Sequence, residues 1–225
     1  MMLRMGTRRP RLATALSEAL SAYHVPTGEH SRRVGSMARQ VGVVLGLSGP
    51  ELDWLWQAAL LHDLGKLGVS TGTLSKPGPL DRSERKEIEC HPAIGASIVR
   101  ACVAGAGARD SEAFDQVAIG ILEHHERWDG SGYPSGRCGD AISTIGRILG
   151  PIDVYDSMIE PRYYRPRAYR TDEALAHLRE GSGSLFDPAV VPAVIEVIER
   201  GAAPSGQGAA AAADTAGDAR GAQLA

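Results

Sequence analysis

PELDWLWQAALLHDLGKLG, residues 50–68, decides how this chain is built. Leu52, Trp56 and Ala59 recur at steps of four and three, the spacing of one face of an α-helix, and Asp63 continues that line. His62 lies about 100° round the axis from Asp63, so both side chains can reach one site. Pro50 suits a first helical turn, and Gly65 stands where the helix should end. No alternation of the kind a half-buried strand needs occurs in the stretch. An aspartate on a buried stripe is out of place, because an ionised carboxylate taken out of water needs a cation or strong donors beside it.

The same pattern recurs outward along the chain. His30 leads Val34, Met37, Val41 and Val44, and His91 heads the line of Ile94, Ile98 and Cys102. Val117 and Ile121 run on to His124 and His125, while Asp153 follows Ile145 and Leu149. Helices are predicted at 11–22, 28–45, 50–64, 82–89, 91–102, 112–125, 142–159, 172–180 and 188–200, which makes the fold all-α. Asp81 with Glu84 fits a capping box, and Thr171 can cap ahead of Asp172 and Glu173. Gly105 and Gly181 stand at helix ends, and Lys76-Pro77-Gly78-Pro79 reads as a turn or extended loop. Residues 1–26 read as an N-terminal extension with a short helix and 27–200 as the main domain. Residues 201–225, rich in Ala, Gly, Ser and Gln, bury too little to offset their ordering entropy and read as a disordered tail.

At 225 residues the chain has room for one sizeable core. A net charge of -3 gives no overall basic field, so DNA is not the expected partner. Cys90, Cys102 and Cys138 are odd in number with no CxxC spacing, as in reduced thiols. No apolar run approaches the ~18 to 20 residues of a membrane span. Arg4, Arg8, Arg9 and Arg11 precede Ser17 and Glu18, which break any signal-like stretch. A cytoplasmic protein without a membrane partner is expected.

A single histidine on an apolar face is ordinarily a core residue bonded to backbone. Seven such groups on five helices, His30, His62, Asp63, His91, His124, His125 and Asp153, call for divalent metal. His24 and His177 fall outside the pattern and read as surface residues.

Five segments now carry a resemblance. They are TGEHSRRV from Thr27, LLHDLGKLG from Leu60, KPGPL from Lys76, HPAIG from His91 and HHERWDGSGYP from His124 to Pro134. In this order they resemble the HD-GYP subgroup of the HD-domain phosphohydrolases across residues 27–200. The last joins the paired histidines to the Gly132-Tyr133-Pro134 loop that names the subgroup.

The resemblance implies an HD-domain helical bundle with extra C-terminal helices and a metal-dependent cyclic di-GMP phosphodiesterase yielding pGpG, GMP or both. It makes His30, His62, Asp63 and Asp153 ligands of one metal and His91, His124 and His125 ligands of a second, with Asp63 bridging. Two roughly octahedral ions offer about twelve positions, and a bridging Asp63, six terminal ligands and a bridging hydroxide leave about two for phosphate oxygens. The ligand set suits iron or manganese, and zinc, nickel or cobalt share its ligand types. Asp63 and Lys66 take catalytic roles, the lysine as a point charge on the scissile phosphate. Arg162 and Arg165, with Arg167 and Arg170 in one basic run, suit a second phosphate. Tyr133 would stack or hydrogen bond at the rim, and Asp129 would orient a ligand histidine.

Three departures from the family pattern stand out. Pro26 occupies the place of a third-metal glutamate for which Glu29 is a poor substitute, so two metals are expected. Gly150-Pro151 should kink the helix before Asp153 and could displace it. Pro161 and Tyr163 alter the arginine segment. These changes keep open a phosphohydrolase for another cyclic dinucleotide or nucleotide, and a signalling module that binds without turnover. A homodimer or a signalling-protein partner also stays open.

Overall fold

A computed structural model describes residues 8–104, 108–161 and 167–202, and the regular elements within them are helical apart from one isolated bridge between Ser182 and Phe186. The expected all-α class is what the structure has. In chain order the helices are α1 (Arg8–Tyr23), α2 (Val25–Val44), α3 (Gly49–Leu61), α4 (Thr71–Leu74), α5 (Arg82–Glu89), α6 (His91–Cys102), α7 (Ala108–Glu123), α8 (Thr144–Ile159), α9 (Thr171–Glu180) and α10 (Val191–Ala202). Short 3-10 turns occupy Leu64–Gly68 and Gly139–Ala141.

Local chemistry sets the helix ends. Glu51 of α3 accepts the Ser48 N–H at 2.8 Å, and the Asp81 carboxylate accepts the Ser83 and Glu84 N–H groups at 2.7 and 3.0 Å ahead of α5. α2 starts at Val25, earlier than expected, because Pro26 fits a first turn whose N–H groups have no helical partner. α3 stops at Leu61, so the predicted run to 64 is too long, and the 3-10 turn carries the chain on. α7 begins at Ala108 and ends at Glu123. The start predicted at 188 moves to Val191, since Asp187 accepts the Ala189 N–H at 2.8 Å and holds 188–190 as a turn. α8 runs unbroken through a buried Pro151, which removes one N–H donor without ending the helix, and Asp153 is not displaced.

α2 lies at the centre of the packing, against α1, α3, α8 and α10, while α3 and α8 both meet α7. Leu20, Val34, Leu55, Leu61, Ile121, Ile148, Leu149 and Ile152 fill the core. α1 contributes Ala13 and Leu20 to it. The first 3-10 turn rests on α6 at Gly65, where a Cβ would collide with the carbonyl oxygen of His91. No described helix is long and apolar enough to cross a membrane. Arg162, Arg165, Tyr163 and the tail from 203 lie outside the described residues.

Candidate metal centre

Every side chain read from the stripes as a ligand arrives at one place. His30 comes from the second turn of α2, Asp153 from α8, and His91 from the first residue of α6. His62 and Asp63 follow the end of α3, and His124 and His125 follow the end of α7. The potential ligand atoms of His30, His62 and Asp153 lie within 4.8 Å of one another, as do those of His91, His124 and His125, and those of His62, Asp63 and His124.

Asp63 stands between the histidine groups and turns one oxygen to each. Its Oδ1 is 3.3 Å from His91 Nε2, and its Oδ2 is 3.6 Å from His62 Nε2 and 4.0 Å from His30 Nε2. Lys66, in the 3-10 turn, donates to Asp63 Oδ2 at 2.6 Å. Burial alone would favour the neutral acid at Asp63, but the Lys66 ammonium and the charged His30 ring hold its carboxyl well below the usual range.

The histidine tautomers follow from acceptor-only partners. His62, His91 and His124 each place Nδ1 2.7 Å from a backbone carbonyl three residues back, those of Ala59, Ile88 and Ile121. A carbonyl only accepts, so each Nδ1 carries the proton and each Nε2 presents a lone pair. Burial keeps the His91 and His124 rings neutral, pushing His91 down to about 3 and His124 well below its ordinary value. His91 Nε2 and His124 Nε2 nevertheless face each other at 3.2 Å. Two lone pairs so close repel unless a cation lies between them and Asp63, so this donor set fits a metal ion.

Burial also pushes His125 down, to about 4, and its ring stacks on Tyr133 with centroids 4.8 Å apart. Tyr133 thus sits beside the centre, as expected for a rim residue. Its loop is pinned by Glu126, a buried acid that accepts the Ser135 and Arg137 N–H groups at 2.7 and 3.0 Å. Gly132 is required there, because a Cβ would collide with the Arg127 nitrogen.

His30 differs from the other histidines of the cluster. Its Nε2 is 2.9 Å from Asp153 Oδ1 and its Nδ1 is 2.6 Å from Asp156 Oδ2. Burial opposes charge on this ring, yet the two acids outweigh burial and raise it to about 9.

Several assignments need correction. Asp129 does not orient a ligand histidine. It is exposed and accepts the Ser131 N–H at 2.8 Å within its own turn. The acid found beside a ring nitrogen is Asp156, 2.6 Å from His30 Nδ1, which the sequence reading missed although it stands three residues after Asp153, on the same face. His24 and His177 are half-buried, with His24 Nδ1 2.8 Å from Thr27 Oγ1 and His177 against the Phe186 ring, both apart from the centre. In the basic run, Arg167 pairs with Glu173 at 2.6 Å and Arg170 with Asp172 at 3.0 Å, so these two guanidiniums are engaged at the start of α9.

The HD domain family model matches residues 14–190. A cyclic di-GMP phosphodiesterase of Vibrio cholerae is 36% identical over 203 residues, 86% of this chain and 40% of that protein. A 3'3'-cGAMP-specific phosphodiesterase of the same organism is also 36% identical, over 79% of this chain and 36% of its own length. The crystal structure of a cyclic GMP-AMP specific phosphodiesterase of Vibrio cholerae superposes with a TM-score of 0.55 at 27% identity, covering 84% of this chain and 48% of that one. This chain therefore spans about two fifths of these two curated relatives.

Proposed function

The chain belongs to the HD domain family, in its HD-GYP subgroup, and from that membership we propose that it hydrolyses a phosphodiester bond of a cyclic dinucleotide, cyclic di-GMP first, to pGpG or GMP. What carries the proposal is Asp63, with one carboxylate oxygen toward the His30–His62 side and the other toward His91. His30, His62, Asp63 and Asp153 would hold one divalent ion, and Asp63, His91, His124 and His125 a second. Iron or manganese suits this set of imidazoles and acids, with zinc, nickel and cobalt as competitors. When bound, such a pair supplies Lewis acidity that activates water and neutralises charge on phosphate oxygens.

The chain's own groups do the rest. The carbonyls of Ala59, Ile88 and Ile121 hold three imidazoles with Nε2 inward, so no ring must turn when substrate arrives. Lys66, already beside Asp63, offers its ammonium to a non-bridging oxygen of the scissile phosphate. Tyr133, stacked on His125, gives a base an aromatic face at the rim. Arg162 and Arg165 would hold the second phosphate, on the strength of the family pattern.

A second substrate, 3'3'-cGAMP, is favoured by one observation: the relative specific for it is as similar as the cyclic di-GMP enzyme, 36% in each case. Protein loaded with manganese or iron, incubated separately with each dinucleotide and followed by chromatography, decides between them. Higher kcat/KM on cyclic di-GMP and none for His62→Ala is the expected result. Preference for cGAMP would shift the assignment to that substrate, whereas binding in calorimetry with no turnover under iron, manganese or nickel would make the chain a binding module.

A further inference from the structure

We propose that Asp156, clamped by Arg33, is the positioning residue that fixes His30 as a metal ligand, so that the His30 side of the centre depends on this pair and the His91 side does not. The inference rests on the two-ion centre proposed above and goes beyond it by making the two metal positions inequivalent.

The reason lies in where each histidine sits on its helix. Ala59, Ile88 and Ile121 belong to the last turns of α3, α5 and α7, where the i→i+4 N–H partners run out and the carbonyls can accept from His62, His91 and His124. His30 is in the interior of α2, where the neighbouring carbonyls are already used by the helix. Something else must hold its Nδ1 proton, and Asp156 Oδ2 does so at 2.6 Å.

Asp156 is buried to 1% exposure, and a carboxylate there needs its own counter-charge. Arg33, three residues after His30 on α2, supplies it from two nitrogens. Its Nε donates to Oδ1 and one terminal nitrogen to Oδ2, both at 2.9 Å, with Glu160 3.5 Å from that same nitrogen. His30 and Arg33 on α2 thus interlock with Asp153 and Asp156 on α8, each pair one helical step apart. Arg33 and Asp156 also line a cavity of about 460 Å³ between α2, α8 and α10, behind the centre. The clamp therefore fixes the ring from the side away from the other ligands and leaves Nε2 directed at them. Among the described residues, the side-chain hydrogen bonds and ion pairs of His91, His124 and His125 run to Asp63, Asp153, backbone carbonyls and one another, and none to Arg33 or Asp156.

The test is a manganese titration of metal-free protein, reading free ion by electron paramagnetic resonance. Wild type is expected to bind two ions, and Asp156→Asn to weaken one binding step by about 10- to 100-fold while leaving the other unchanged. Arg33→Lys, which keeps the charge but loses the two-point grip, is expected to weaken the same step to a smaller extent. Because the Arg33 side chain is 38% exposed, this variant decides the matter should Asp156→Asn fail to fold. Unchanged steps in a folded variant, or equal weakening of both, would overturn the proposal. Wild type that binds two ions yet leaves cyclic dinucleotides intact would remove only the proposed substrate, while wild type that binds fewer than two would remove both proposals.

Discussion

Lys66 is the side chain through which the proposed centre would be served by a group that is not a ligand. Its ammonium lies 2.6 Å from Asp63 Oδ2, and in the proposed function it meets a non-bridging phosphate oxygen there. Lys66→Ala should lower kcat/KM for cyclic di-GMP about 100-fold, the order of a lost charge-stabilising donor, with bound metal per chain unchanged. Hydrolysis assays paired with elemental analysis check this, and loss of metal in parallel with activity would instead make Lys66 a guard of the Asp63 charge. The seven proposed ligand side chains were legible in the sequence because six begin or continue an apolar stripe, where a polar group has no ordinary reason to be, and His62 adjoins Asp63 at the end of such a stripe. Asp156 and Glu126 were not. Each lies within a few residues of a stronger signal, Asp153 and His125, and their burial arises from packing against α2 and against the loop at 131–137 that no periodicity describes.

Helix ends do much of the site building. α3, α5 and α7 all stop beside the centre, so their last-turn carbonyls orient ligands while the following residues supply them. The turn that carries Lys66 can lie on α6 only because Gly65 has no side chain, and the obstacle a Cβ would meet is the His91 backbone, not a side chain able to swing away. Gly65→Ala should therefore destabilise the fold by about 1–3 kcal/mol, as overpacking does, and lower activity by moving Lys66 and His91 apart. Denaturant unfolding measures the first effect, and wild-type stability in the variant would show that the turn can slide on α6 at no cost. Helix positions were largely legible, the helix through Pro151 among them, but α4 is too short for any period. Packing on α7 and α2 holds α8 together through Pro151.

Across the molecule, the histidines titrate in opposite directions, and this sets the pH response of the metal-free protein. His91 and His125, pushed down to about 3 and about 4, stay neutral in the fold where an unfolded chain would protonate near 6.5. Between those values the unfolded state binds more protons, so stability falls as pH drops below about 6.5. Asp63 and Asp153, both held well below the usual range, add to the loss at the acid end of that window. His30 acts the other way: raised to about 9, it contributes stability that is complete below about 6.5 and is lost as pH rises through 9. Chelated protein should thus show its highest Tm near pH 6.5 to 7 and decline on both sides. A bound cation takes the place of the Nε2 proton on His30, which removes the alkaline decline, and it competes with protons at every imidazole, which steepens the acid one. Melting curves from pH 5 to 9, with chelator and with manganese, test both halves. An alkaline decline that persists in the loaded protein would mean that His30 keeps its proton and lies outside the metal's coordination.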